Sequence, residues 1–125
     1  MKRVYFAHPV SDYGTSWEAA AETAITKALP GCDLVNPNAP DHEAAYQARG
    51  MTYFLEVCAG CDAVVAAPFP DGNFGAGVGK EAFTFVIARK PVYLLDRATL
   101  AVERGVVGPV LTVEQTRRWL AHYRL

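Results

Sequence analysis

No charge of one sign dominates this chain: 12 Lys and Arg stand against 13 Asp and Glu, a formal charge of -1 over 125 residues. Attachment to a phosphate backbone draws on a basic excess, so a nucleic-acid polymer is not the expected partner. Long apolar runs are missing as well. No stretch approaches the roughly 18 residues of a membrane span, and Met1-Lys2-Arg3 leads straight into a strand-like segment instead of a signal-peptide core. The expectation is a cytoplasmic protein with no membrane partner. Cysteine is scarce: three residues cannot all pair within the chain, which fits a reducing compartment and excludes a disulfide framework. Cys58 and Cys61 form a C-x-x-C, but no second such pair and no H-x3-H supplies the four ligands of a structural zinc. The pair also closes a helical stretch instead of opening one, where a helix dipole would activate a thiol. His8, His42 and His122 are scattered, so a metal site is not expected.

What is present is an alternation of strand and helix periods. Lys2 to Ala7 is short and β-prone, and Trp17, Ala21, Ala24, Ile25, Ala28 and Leu29 then recur at helical spacing until Pro30-Gly31. Cys32 to Val35 reads as a second strand, followed by a stiff polar loop over 36–41 and one helix, begun by His42 and Glu43, with Ala44, Ala48, Met51, Leu55 and Cys58 on a face. Asp62 to Ala67 is an apolar run of the kind buried on both sides in a parallel sheet. A third helix is expected over Gly77 to Ala88, a fourth strand over Pro91 to Leu95 and a fifth over Val106 to Val110. Thr112 caps a final helix with Val113, Thr116, Leu120 and Tyr123 inward. This order predicts a single α/β domain over 1–125, flavodoxin-like or Rossmann-like, with a parallel sheet of four to five strands and helices on both faces. In such sheets ligands bind outside the carboxyl ends of the strands, so the loops 7–16, 36–42 and 68–79 should converge.

The third of these loops carries the most chemistry. Gly75, Gly77 and Gly79 permit close backbone approach ahead of a helix. Neither nucleotide-loop pattern fits: G-x4-G-K-[ST] would need glycine where Phe74 stands and a hydroxyl where Glu81 stands, and G-x-G-x-x-G fails because the third glycine comes one residue early. There remains a carboxylate, Glu81, in what reads as the first turn of the helix. It can merely complement the helix dipole. With three glycines leaving it approachable, it can also attack an anomeric carbon or stabilise an oxocarbenium ion. Lys80 points away from it as a next-door helix residue, and Arg117-Arg118 reads as a solvated face.

Val4-Tyr5-Phe6-Ala7, Asp62-Ala63-Val64-Val65-Ala66, Gly75-x-Gly77-Val78-Gly79-x-Glu81 and Lys90-Pro91-Val92 together resemble the nucleoside 2-deoxyribosyltransferase superfamily. The G-V-G-x-E spacing is most similar to its deoxynucleoside 5'-monophosphate N-glycosidases. The resemblance implies cleavage of an N-glycosidic bond in a small nucleoside or nucleotide, with the base released or exchanged, and no cofactor. It places the nucleophilic glutamate on Glu81 and the tyrosine that orients it on Tyr5, a residue that on its own reads first as a core aromatic whose hydroxyl finds a buried partner.

There are departures. Phe54 stands where the transferases carry an aspartate, Gly75 occupies a second acidic position, and His8-Pro9-Val10-Ser11-Asp12 replaces the glycine-rich first loop. A proton for the leaving base then lacks an evident source. Asp71 can supply one from a slightly different direction, or can serve its own Pro-Asp-Gly turn. His8 can act as acid, base or phosphate donor, or sit as a buried hydrogen-bonding residue. Ser11, like Asp12, Thr15 and Ser16, is a loop and N-cap residue with ligand contact as a second role. Asn36 and Asn38 can read base edges or simply form the turn. A non-catalytic nucleotide-binding or sensing domain of the same fold is the alternative. The superfamily also implies a homodimer or larger assembly, with Met51, Tyr53 and Phe54 as a candidate contact surface.

Overall fold

The computed structural model describes the backbone of residues 2–123 and their side chains except those of Pro40, Asp41, Glu43, Met51 and Tyr123. Strands β1 (Arg3–Ala7), β2 (Asp33–Val35), β3 (Ala63–Ala66), β4 (Val92–Leu95) and β5 (Val102–Arg104) interleave with helices α1 (Ser16–Ala28), α2 (Pro40–Arg49), α3 (Met51–Ala59), α4 (Ala76–Ile87) and α5 (Val113–Tyr123). The strands form one sheet in the order β2-β1-β3-β4-β5, the first four parallel, which is the single flavodoxin-like α/β domain expected. No helix among the described residues is long and apolar enough to cross a membrane.

Strand alternation divides the core into two layers. Val4 and Phe6 of β1, with Ala63 and Val65 of β3, pack on Ala21 and Ile25 of α1. Tyr5 and Ala7, with Val64 and Ala66, face the other way, onto Cys58 of α3 and Val78, Ala82 and Phe85 of α4. Tyr5 pairs in register with Val64 at the centre of the sheet and is fully buried. Its hydroxyl is therefore carried into the layer that α4 covers.

Three boundaries differ from those read in the sequence. The second helix is two helices, because Gly50 adopts φ 65°, a left-handed conformation that ends α2 and re-aims the chain into α3. The fifth strand is Val102–Arg104, antiparallel to β4, and not Val106 to Val110. Only residues 96–101 join it to β4, too few for a parallel crossover, and Asp96 closes this turn by accepting from Ala98 N and Thr99 N. The 106–110 segment instead makes a single bridge, with Phe74 N donating to Pro109 O and Leu111 N to Phe74 O. Finally, α4 begins at Ala76, so Glu81 is its sixth residue, in the second turn and not the first. The glycines do not delay the helix: Gly79 N already donates to Gly75 O, and Thr116 of α5 caps the start by accepting from Ala76 N.

Candidate functional site

A cavity of about 380 Å³ opens outside the carboxyl ends of β1 and β3, where the sheet order reverses. The β1 exit loop gives it His8, Pro9, Val10 and Tyr13, and the β2 exit loop gives Pro37 and Asn38. His42, Tyr46 and Gln47 of α2 and Phe54 of α3 form one wall. Gly75, Gly77, Val78 and Glu81, with Thr116 and Leu120 of α5, complete the lining. A larger depression of about 590 Å³ lies beside β4 and β5. Its Asp96, Thr99, Glu103 and Arg104 are exposed, and its Arg97 is already engaged in a two-pronged pair with Asp12. The smaller cavity is the one that holds buried ionisable groups.

Glu81 is 7% exposed, and its Oε2 accepts a 2.5 Å hydrogen bond from Tyr5 Oη. Burial pushes its carboxyl up to about 7, against which the Tyr5 hydrogen bond pulls down by favouring the ionised form. Tyr5 in turn is pushed far above the ordinary phenol range by burial and by Glu81, so it stays a donor. The result is a buried carboxylate at the cavity wall, held by one tyrosine and titrating near neutrality.

His8 stacks on Phe6 with ring centroids 3.8 Å apart. Its Nδ1 is 2.9 Å from Phe6 O and its Nε2 2.7 Å from Glu18 Oε2. Glu18 also accepts from Gly14 N and Asn38 Nδ2. Burial raises its carboxyl, but the hydrogen bonds from His8, Gly14 and Asn38 outweigh this and hold it below its usual range. Both nitrogens of His8 are thus committed inside the protein, and the ring presents no free nitrogen to a ligand. Asn38 lines the cavity while tied to the same carboxylate.

The other expected residues are distributed unevenly. Gly75 and Gly77 line the cavity, whereas Gly79 is turned against Val110 of the returning segment. Ser11 lies in a 3-10 turn over Val10–Asp12, outside the wall. Asn36 Oδ1 accepts from Asn38 N, a turn bond that orients Asn38. Asp71 is outside the wall too: Oδ1 accepts from Asn73 N and Oδ2 from Trp119 Nε1, which ties the loop to α5. Phe54 and Gly75 are built into the packing. Phe54 is a wall residue among Tyr46 and Tyr53, and a Cβ at Gly75 would stand 3.2 Å from the Phe69 ring, itself stacked on Trp119. Phe54 is therefore cavity wall, Tyr53 is half-buried against His42, and the side chain of Met51, like that of Tyr123, lies outside the described residues.

Cys58 and Cys61 are buried and free, and burial and the nearby Glu81 push the Cys58 thiol well above its ordinary value, the reverse of an activated thiolate. Among the described residues, no three His, Cys, Asp or Glu side chains gather as a metal site requires.

Sequence reasoning missed Tyr13, Glu18, Tyr46, Thr116 and Leu120, and gave His42 only a place at a helix start. Glu18 was hidden by its own pattern. Thr15-x-x-Glu18 is a capping-box signature, and Thr15 Oγ1 does accept from Glu18 N. The glutamate side chain, however, turns to His8.

No family model matches the sequence, and no curated protein matches it. Among solved structures, the chain is similar to a 2-desoxiribosyltransferase from Leishmania mexicana at 14% identity and a TM-score of 0.52, with 100% of both chains covered. At that identity the likeness is one of fold.

Proposed function

We propose that this protein cleaves the N-glycosidic bond of a nucleoside or nucleotide, releasing the base to water or exchanging it for another. The observation that carries this reading is the Tyr5–Glu81 pair at the wall of the cavity, in a fold shared with a 2-desoxiribosyltransferase. A carboxylate titrating near 7 is ionised at neutral pH in a useful fraction of molecules and is less solvated than one in water. It is suited to attack C1' of a sugar or to stabilise the oxocarbenium ion that forms as the base departs. Tyr5 orients Glu81, Gly75 and Gly77 keep the approach clear of side chains, and Asn38 offers an amide to the ligand. His8 acts through Glu18 as a support for the loop, and Asp71 ties the 68–74 loop to α5. Neither metal nor organic cofactor enters the reaction. We place the protein in the cytoplasm and expect a second copy to cover the exposed apolar residues of α4, Phe83, Val86 and Ile87.

A second reading keeps the pocket without the chemistry. It is favoured by Phe54 and Gly75, which leave apolar wall where acidic side chains would assist the base. One experiment separates the two. Ribo- and deoxyribonucleosides and their 5'-monophosphates are incubated with wild type and with Glu81→Ala, and free base is followed by chromatography. Release by wild type alone supports the glycosidic reading. Melting-temperature shifts without release from any compound replace it with a binding domain.

A further inference from the structure

The reaction proposed above has an unmet requirement. A neutral base departs with the electron pair of the C1'–N bond, and a positioned acid lowers that barrier by protonating it. Among the described residues of the cavity wall, the titratable side chains are His8, Tyr13, His42, Tyr46 and Glu81. Glu81 is required as a carboxylate. His8 has both nitrogens committed, to Phe6 O and to Glu18. Burial, with Glu81 and Glu18 nearby, pushes the Tyr13 hydroxyl above its ordinary value and makes it a poorer acid. Tyr46 stands 40% exposed at the rim.

His42 remains, and it is held. Its Nδ1 lies 2.5 Å from Oη of Tyr53, on α3. His42 lines the cavity and Tyr53 does not, and the nitrogen engaged with Tyr53 is Nδ1. Nε2 has no partner among the described residues and is the imidazole nitrogen open to a ligand. Beside the imidazole stand the rings of Phe54, 6.1 Å away, and Tyr46, 5.1 Å from Phe54. Flat aromatic faces of this kind stack on a nucleobase, so the acid and a base-sized wall occupy the same side of the cavity.

We propose that His42 is the general acid that protonates the departing base, with Tyr53 as its positioning residue; the inference rests on the N-glycosidic reading. Doubly protonated His42 gives its Nε2 proton to a ring nitrogen or carbonyl oxygen of the base as the C1'–N pair passes to the base. Glu81 donates a carboxylate lone pair to C1'. His42 is left neutral, its remaining proton on Nδ1 and donated to Tyr53 Oη. Water or a second base then attacks C1', freeing the Glu81 carboxylate, and its surplus proton returns to His42 Nε2.

The test compares wild type, His42→Gln, His42→Ala and Tyr53→Phe on the nucleoside that is turned over and on the 4-nitrophenyl glycoside of the same sugar, whose 4-nitrophenolate leaves without a proton. Melting temperatures establish that each variant is folded. His42→Gln should lower kcat on the nucleoside by about 10²- to 10⁴-fold with KM near wild type, and should spare kcat/KM on the nitrophenyl glycoside, which reports only the steps up to departure of nitrophenolate; Tyr53→Phe should show a smaller loss of the same kind. Added imidazole should restore part of the His42→Ala rate, a second readout that does not depend on the artificial glycoside. Equal losses on both substrates, no loss on the nucleoside, or no rescue by imidazole would overturn the assignment while Glu81-dependent base release stands. Absence of base release by wild type sinks the glycosidic reading and the general acid together.

Discussion

Tyr5 Oη and Glu81 Oε2 lie 2.5 Å apart across 76 positions of sequence, joined by the alternation of β1 and the second turn of α4. The bond favours the ionised carboxylate, and a hydrogen bond to a charged group is worth about 1.5–3 kcal/mol. Tyr5→Phe removes it and lifts the Glu81 carboxyl above about 7. Activity that needs the carboxylate should then fall off at a higher pH than in wild type, with a loss of roughly 10- to 100-fold at pH 7. A pH–rate profile of kcat/KM from 5 to 9 checks this. An acid limb that stays in place would mean that Tyr5 does not hold the ionised form.

The same burial makes Glu81 a stability liability at neutral pH. Its folded carboxyl is raised from 4.5 to about 7, so the folded state binds the proton more tightly than the unfolded chain. The stability this contributes is present below about 4.5 and is lost as pH rises through about 7. At about 1.4 kcal/mol per pH unit the full effect is on the order of 3 kcal/mol. Glu81→Gln keeps an acceptor for Tyr5 and carries no charge. It should be catalytically dead yet more stable than wild type at pH 8, with the advantage gone at pH 4.5. Urea unfolding at the two pH values decides it.

His8 and Glu18 stabilise the β1 exit loop from inside, with side chains 0% and 8% exposed. Arg49 and Glu56 make the contrasting pair, with side chains 48% and 52% exposed. Deleting Glu18 leaves the donors of His8, Gly14 and Asn38 without their acceptor, and each buried group left unsatisfied costs about 1–3 kcal/mol. Exposed pairs contribute less than about 1 kcal/mol. Glu18→Ala should therefore shift the unfolding midpoint by several times as much as Arg49→Ala. Comparable midpoints would show that solvent replaces the glutamate as acceptor for His8, Gly14 and Asn38.

The layers and the approximate strand positions are legible in the sequence because burial on both faces leaves unbroken apolar runs such as Ala63 to Ala66, and because Trp17, Ala21 and Ile25 keep helical spacing. Glu81 was legible as a residue of the cavity because it follows three glycines at the ligand side of such a sheet. The fifth strand was misplaced because Val106 to Val110 has the apolar character of a strand while Pro109 has no N–H to donate. The helix break needed the backbone of Gly50, which composition alone does not reveal. His42 and Glu18 were hidden because their neighbours gave each a cheaper local role, as helix opener and as capping-box glutamate. Only the tertiary partners, Tyr53 and His8, expose the other role.

Gly79 is explained by packing, and its test is a change of sign. A Cβ there would lie 2.5 Å from Val110 Cγ1 and 3.0 Å from Val110 Cγ2. Valine is branched at Cβ and cannot swing both methyls aside, so Gly79→Ala must displace the 106–112 segment, which also seats Phe74 through Pro109 and Leu111. Overpacking of this kind costs about 1–3 kcal/mol. In a helix interior, however, alanine is favoured over glycine by about 1 kcal/mol. Gly79→Ala alone should therefore be neutral to destabilising, by up to about 2 kcal/mol once the helix term is subtracted. In a Val110→Ala background both methyls are gone and only the residue-110 Cβ, 3.3 Å away, is left, a contact that a shift of a few tenths of an ångström relieves, so the same substitution should stabilise. Denaturant midpoints of the two single variants and the double variant measure the coupling. If Gly79→Ala stabilises equally in both backgrounds, close approach to Val110 is not what requires glycine at this position.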